Sequence, residues 1–327
     1  MGHLTNEVRW ALEAILGLLI VASIIVFVLC RLQPEKDRTE LVQRMKTWWI
    51  IILSFGGAFL LGKTAVLLYF AFVSFLGMKE YFSLIPARRA DRRVLFWAYL
   101  AIPIQYYWVY SNWYGMFIVF IPVYMFMLIP SRMIMTGVTE RFLHSVGMVH
   151  WGLMTTVFSL SHIAALMNLK WNPQVIDLPE ARFATGVISP GPGLLIFLVA
   201  LTQMNDVAQY VWGKTLGHRK IAPHVSPGKT VAGFLGGVVT TALLASLIGP
   251  WLTILHWKYA LGAGLIIGVG GFFGDLSISA LKRDLGVKDT SSMLPGHGGV
   301  MDRVDSLTFT APLFFHYVYY LYHNLYF

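Results

Sequence analysis

Residues Gly274 to Asp305 read G-D-L-S-I-S-A-L-K-R-D-L-G-V-K-D-T-S-S-M-L-P-G-H-G-G-V-M-D-R-V-D. From Asp275 onward the stretch holds five Asp, four Lys or Arg and one His within 31 residues, between two long apolar runs. Charges are costly near hydrocarbon, so a chain that gathers this many between apolar helices does so where water, ions or phosphates are handled. Carboxylates suited to Mg²⁺, cations suited to phosphate oxygens and a Gly-rich turn together fit phosphoryl-type chemistry.

Working outward, the chain has 327 residues, 57% of them hydrophobic and 13% charged, with mean hydropathy +0.64. Soluble domains carry about 25% charged residues, so the composition indicates an all-α, polytopic membrane protein. Apolar runs able to cross about 30 Å of hydrocarbon fall at roughly 11–30, 47–62, 64–78, 94–109, 113–130, 148–167, 187–204, 230–249, 258–275 and 306–325. The second and third are divided only by Gly62 and Lys63, so they form either a tight hairpin or one broken segment. The expected number of transmembrane helices is therefore nine or ten. The first run is too long for a signal-peptide core and reads as a retained span.

Alternate loops 31–46, 79–93, 131–147, 206–229 and 276–305 hold 20 of the 25 Lys and Arg residues. That asymmetry predicts that these loops face the cytoplasm and both termini do not. It also explains the net charge of +9 by contact with an anionic leaflet, so nucleic acid is not an expected partner. A single cysteine, Cys30, excludes an intramolecular disulfide. Gly233/Gly237 and Gly264/Gly268 read as small residues at helix-packing surfaces. Trp48, Trp49, Tyr106, Tyr107, Trp108, Trp113 and Tyr114 read as an interfacial aromatic belt.

If the ninth run continues as a helix, Asp275, Ser279 and Lys282 share a face. Asp275 at the membrane edge calls for a cation partner. Asp302 and Asp305 fall one turn apart and on one face at the start of the last run. Asp275 and Asp302 then end adjacent spans on one side and are placed to converge on Mg²⁺, with Lys282, Arg283, Lys288 and Arg303 free to bind phosphate. The glycines of Pro295-Gly296-His297-Gly298-Gly299 let backbone N–H groups approach phosphate oxygens.

A second polar block runs from Asp206 to Gly233. Its Gly228-Lys229-Thr230 is not a P-loop, because that loop needs Gly where Pro223 stands. The turn still presents Ser226, Lys229 and backbone amides at the mouth of a span. His218 and His224 read as solvated loop residues, and His150 and His162 as hydrogen-bonded core histidines. No Ser has the partner set of a covalent nucleophile.

Ser279 to Asp305 resembles the signature of the phosphatidate cytidylyltransferases, the CDP-diacylglycerol synthases. Gly274-Asp275-Leu276 fits that family as well. So do the spacing of Asp206, Tyr210, Gly213 and Gly217 and the element Ser226-Pro227, Lys229-Thr230, Gly233. The resemblance covers about residues 185–325, which divides the chain into membrane helices 1–184 and a catalytic region 185–327. It implies CTP and phosphatidate, or a related lipid phosphate, as substrates. It also implies membrane lipids as partners, Mg²⁺ as cofactor, and a bacterial inner (plasma) membrane setting with the active site facing the cytoplasm. A second metal ion and a homodimer are left open. Residue by residue, Asp275 and Asp302 would hold Mg²⁺. Lys229, Lys282, Arg283, Lys288 and Arg303 would neutralise phosphates. Ser226 and the Gly298-Gly299 backbone would contact the nucleotide, and Asp206, Asp289, His297 and Asp305 would orient the ligands. The chain departs from the family where Ala232 and Ile278 replace the usual Glu, and where Ala208-Gln209-Tyr210 replaces the commoner Gly-Ala-Tyr. Those departures bear on rate, metal number and lipid acceptor.

Overall fold

The structure is a computed structural model that describes residues 5–32, 35, 37–86, 92–169, 190–296 and 298–324. Its described residues form ten long helices and two isolated bridge pairs, with no strand. The helices are α1 (Asn6–Leu32), α2 (Thr39–Leu61), α3 (Lys63–Leu84), α4 (Arg92–Tyr110), α5 (Tyr114–Ile134), α6 (Phe142–Asn168), α7 (Gly191–Leu216), α8 (Val231–Leu252), α9 (Trp257–Asp284) and α10 (Leu307–Asn324). A single turn, Met301–Val304, precedes α10. Eight of these helices are long and apolar enough to cross a membrane by themselves, which makes the chain an all-α, polytopic membrane protein. The other two, α4 and α10, were expected spans. Gln105 with neighbouring Tyr and Trp dilutes α4, and His316 with four Tyr dilutes α10. Both are instead accommodated by burial against protein, through Ala98, Ala101 and Ile102 in α4 and Ala311, Phe314 and Phe315 in α10.

The division at Gly62 is a hairpin. Gly62 alone separates α2 from α3 and has φ +99°, a value that favours glycine. Phe55 of α2 then meets Tyr69 and Phe70 of α3 at ring separations of 6.0 and 6.3 Å. Two helices contain a π turn. In α5 it spans Phe120–Met125 and includes Pro122, whose missing N–H breaks the regular ladder. In α6 it spans Met154–Phe158, where the Thr155 and Thr156 hydroxyls donate back to the Trp151 and Gly152 carbonyls.

Burial sets the layering. Most of α6 is buried within the protein and very little of α1 is, so α6 lies at the centre and α1 at the outer edge. The paired glycines do what their spacing predicts. A Cβ at Gly233 would sit 2.7 Å from the Gln209 carbonyl on α7, and one at Gly264 would sit 2.6 Å from Ala242 Cα on α8. Glycine here lets α7, α8 and α9 approach closely. Asn205 bonds this trio together, donating to the Gly268 carbonyl and accepting from Thr241. Tyr106 does not belong to an interfacial belt. It is 6% exposed and its hydroxyl bonds Ser74 at 2.9 Å in the interior.

Four of the five basic loops meet at one end of the bundle. Arg44 of α2 reaches the Gly296 carbonyl, Glu80 of α3 reaches Val300, and Lys229 before α8 pairs with Asp275 of α9. Loops that alternate along the sequence are thus neighbours in space, as antiparallel spans require.

Candidate active site

Helix α9 runs unbroken from Trp257 to Asp284, so Asp275, Ser279 and Lys282 do share a face. Ser279 Oγ donates to Asp275 Oδ1 at 3.2 Å. The cation partner of Asp275 is Lys229, whose Nζ lies 2.6 Å from Oδ2. Lys229 also donates to Gln209 Oε1 at 2.9 Å and sits over the Phe272 ring. The preceding turn holds it there. The Lys229 N–H donates to the Ser226 carbonyl, the Ser226 N–H to the Ala222 carbonyl, and Thr230 Oγ1 caps α8 by accepting from the Gly233 N–H. Arg283 Nε donates to the Val225 carbonyl at 3.2 Å, tying this turn to the end of α9.

Three carboxylates meet beside Lys229. At Gly274, where a Cβ would lie 2.7 Å from the Asp305 carbonyl and 3.0 Å from that of Ser306, α9 and the segment before α10 come together. Asp275 is thereby placed beside Asp305. Ser306 Oγ lies 3.1 Å from both oxygens of Asp206. Loss of water, and then the charges of Asp275 and Asp206, push the Asp305 carboxyl well above its usual range. The donor set is all oxygen, and its mutual repulsion suits a hard divalent cation. Among the described residues no three His, Cys, Asp or Glu side chains form a group able to hold a metal ion by themselves, so a cation here would need ligands from outside the protein, such as substrate phosphates.

Asp302 occupies a separate position. Its side chain is 5% exposed and Oδ1 lies 2.7 Å from Lys282 Nζ. Oδ2 accepts from the Thr290 N–H at 2.9 Å, Thr290 Oγ1 at 2.9 Å and the Gly299 N–H at 3.0 Å. Burial opposes the charge, but Lys282 and these backbone donors outweigh it and hold the carboxyl below its usual range. The expected single face for Asp302 and Asp305 is interrupted at Asp305 and Ser306, so the two acids face different partners. The pairing of Asp275 with Asp302 thus becomes two neighbouring sites, Lys229–Asp275 and Lys282–Asp302.

The Gly-rich turn also has internal work. Gly298 has φ +79°, and a Cβ there would lie 2.7 Å from Asp302 Oδ2. The Gly299 N–H points at Asp302 and the Leu294 N–H at the Gly298 carbonyl. This loop therefore holds a carboxylate with the amide that the sequence assigns to a nucleotide. Lys288 and Asp289 are exposed, and Arg303 is partly exposed with a buried Nε. His297 lies outside the described residues. Of the two expected core histidines, His162 bonds the Phe158 carbonyl at 2.7 Å, whereas His150 is half-buried and its Nδ1 has no hydrogen-bond partner among the described residues, so that expectation fails there.

Sequence reasoning missed the contribution of the first 184 residues. Glu80 accepts hydrogen bonds from four groups of the 290–301 loop, Thr47 donates to the Pro295 carbonyl and Arg44 to the Gly296 carbonyl. The one available signal was Glu80 itself, an acid placed among apolar residues near the end of a span.

Fold and site together define a polytopic membrane protein with two Lys–Asp pairs and a carboxylate cluster gathered at one end of its helices. Comparison with known proteins places it further. A model described as the Cytidylyltransferase family matches residues 42–321, and the chain belongs to that family. It is 43% identical over 311 residues to Uncharacterized protein YnbB of Escherichia coli K12, covering 95% of this chain and 98% of that one. It is 44% identical over 132 residues to a phosphatidate cytidylyltransferase of Synechocystis sp. PCC 6803, covering 38% of this chain and 44% of the relative. A phosphatidate cytidylyltransferase of Bacillus subtilis 168 matches at 44% identity over 112 residues, 34% of this chain and 42% of that one. The matches to these two named enzymes span less than half of their length.

Proposed function

We propose that this protein transfers the cytidylyl group of CTP to a lipid phosphate, with phosphatidate as the first acceptor to test and CDP-diacylglycerol and pyrophosphate as products. The observation that carries the reading is the joining of Lys229, Asp206, Asp275 and Asp305 beside the Lys282–Asp302 pair, at one end of a membrane bundle. An oxygen of the lipid phosphate attacks the α-phosphorus of CTP. The bond from that phosphorus to the bridging oxygen of the β-phosphate breaks, and pyrophosphate leaves with the electron pair. No protein nucleophile takes part, and catalysis consists of positioning and charge stabilisation.

Asp275, with Asp206 and Asp305 around it, would hold Mg²⁺. The ion would supply positive charge to the triphosphate oxygens. Lys229 is placed to move from Asp275 to a phosphate oxygen, and Lys282 to stabilise charge on the same group while Asp302 fixes its direction. Arg283, Lys288 and Arg303 line the polar side toward the cytoplasm, where the basic loops would lie. Asp289 and Ser226 stand at the rim. The membrane bundle keeps the acceptor's acyl chains in the bilayer.

The full-length similarity to YnbB, together with Ala232 and Ile278, supports a second reading in which the acceptor is a different lipid phosphate. One experiment tests both. Purified protein in lipid nanodiscs is given radiolabelled CTP and a panel of lipid phosphates, with Mg²⁺ or with a chelator. A labelled CDP-lipid that depends on Mg²⁺ supports the reading, and the best acceptor selects between the two versions. No CDP-lipid from any acceptor would sink it in favour of a non-catalytic membrane protein.

A further inference from the structure

Glu80 is 2% exposed, yet it is a carboxylate near the end of a membrane helix. Such a group needs donors when it leaves water. It has four. The Val300 N–H donates to Oε1 at 2.8 Å and the Met301 N–H to Oε2 at 2.9 Å. Ser291 Oγ donates to Oε1 at 2.6 Å, and Thr290 Oγ1 lies 3.3 Å from Oε2. All four belong to one loop that is more than two hundred residues away in sequence. Gly299 completes the fit, since a Cβ there would lie 2.5 and 2.8 Å from the two Glu80 oxygens.

The same loop holds Asp302. Thr290 Oγ1 stands between the two carboxylates, 3.3 Å from Glu80 and 2.9 Å from Asp302 Oδ2. The chain of contacts runs from Glu80 through Thr290 to Asp302 and on to Lys282 Nζ. On the far side of the loop, Thr47 donates to the Pro295 carbonyl at 2.8 Å and Arg44 Nε to the Gly296 carbonyl at 3.1 Å. The loop is therefore tied to both α2 and α3.

We propose that Glu80 is a positioning residue for cytidylyl transfer: its carboxylate sets the 290–301 loop and, through Thr290 and Asp302, the direction of the Lys282 ammonium. This rests on the transfer reading above. Both Glu80 oxygens are taken up by the loop. Glu80 acts on the developing charge through the Lys282–Asp302 pair. Gln in its place keeps the shape, but its NH₂ would face an N–H or hydroxyl donor, so at least one side of the clamp is lost.

The experiment uses the full chain in nanodiscs and three substitutions: Glu80→Gln, Ser291→Ala and Lys282→Gln. Backbone exchange at Val300 and Met301 should quicken by roughly tenfold or more in Glu80→Gln, because its carboxylate is their acceptor. In CDP-lipid formation, kcat should fall by about 10²-fold, with KM for CTP within about threefold, as expected for losing orientation in the transition state. Ser291→Ala, which keeps the carboxylate, should show the same pattern at a smaller size. On a Lys282→Gln background, Glu80→Gln should cost much less than it does alone, because both act through one group.

An unchanged kcat in Glu80→Gln with exchange accelerated would overturn the proposal, leaving a loop tether with no part in the reaction. An equal loss on both backgrounds would also overturn it, since a general loss of structure does not depend on Lys282. If Glu80→Gln does not fold, Ser291→Ala alone and on the Lys282→Gln background carries the same decision. Wild type that makes no CDP-lipid defeats the transfer reading. Exchange at Val300 and Met301 still shows in that case whether Glu80 holds the loop.

Discussion

Asp275 and Asp302 differ in surroundings, so neutralising each should have different consequences. In Asp302→Asn the amide oxygen still accepts from Lys282, but the new NH₂ faces the N–H groups of Thr290 and Gly299. Lys282, 14% exposed at its side chain, keeps a charge with no anion beside it. Removing one partner of a buried pair costs about 3–5 kcal/mol. The Lys229–Asp275 pair is more open, with side chains 17% and 23% exposed, and its loss should cost about 1 kcal/mol. Both variants should lose roughly 10²-fold or more in CDP-lipid formation, the size expected for one lost transition-state electrostatic contact. Thermal unfolding in one detergent should therefore separate them, with Asp302→Asn melting well below wild type and Asp275→Asn close to it. The pH dependence has a sign as well. The Asp302 carboxyl is held below its usual range, so its contribution to stability is complete above about pH 4, the unfolded value, and is lost as pH falls toward the lower folded value. Asp302→Asn should lack that acid limb. Equal melting temperatures for the two variants, or an acid limb kept in Asp302→Asn, would refute the division into a loop-holding and a ligand-holding carboxylate.

Further outcomes follow from close contacts and burial. Gly299→Ala would drive a methyl into Thr290 Oγ1 and Glu80, and should cut both the folded yield and the melting temperature, as fluorescence size-exclusion traces will show. Ile278 is fully buried, so Ile278→Glu should destabilise the protein by several kcal/mol, whereas Ala232→Glu in the first turn of α8 should be tolerated. A Mg²⁺ titration of activity in Ala232→Glu reads whether an acid there alters metal dependence. On a Cys30-free background, single cysteines at 38, 220 and 288 should react only with reagent applied from the cytoplasmic face. Labelling of 220 or 288 only from outside would reverse the orientation read from the basic loops.

Hydropathy and charge are local properties, and they were legible along the chain. Apolar run length marked all ten long helices of the described residues, eight of them apolar enough to cross a membrane by themselves. The alternation of Lys and Arg grouped five loops, four of which, at 31–46, 79–93, 206–229 and 276–305, have segments that meet at one end. The 274–305 signature located Asp275, Lys282 and Asp302 on adjacent segments, and Gly233, Gly237, Gly264 and Gly268 announced close packing. What lay out of reach was the pairing of side chains between segments. Nothing near Lys229 in sequence points to Asp275, and nothing near Asp302 points to Lys282 rather than to a ligand. Glu80, Thr47 and Arg44 grip a loop more than two hundred residues away, a separation at which periodicity carries no information. The residues from 1 to 184 read as plain membrane helices for that reason, although three of their polar side chains hold the signature loop. Whether an amide such as that of Gly299 faces a ligand or a neighbouring carboxylate depends on which groups share a buried volume. Only the tertiary packing of α2, α3, α9 and the turn before α10 decides that, because burial makes each donor take whichever acceptor lies within reach.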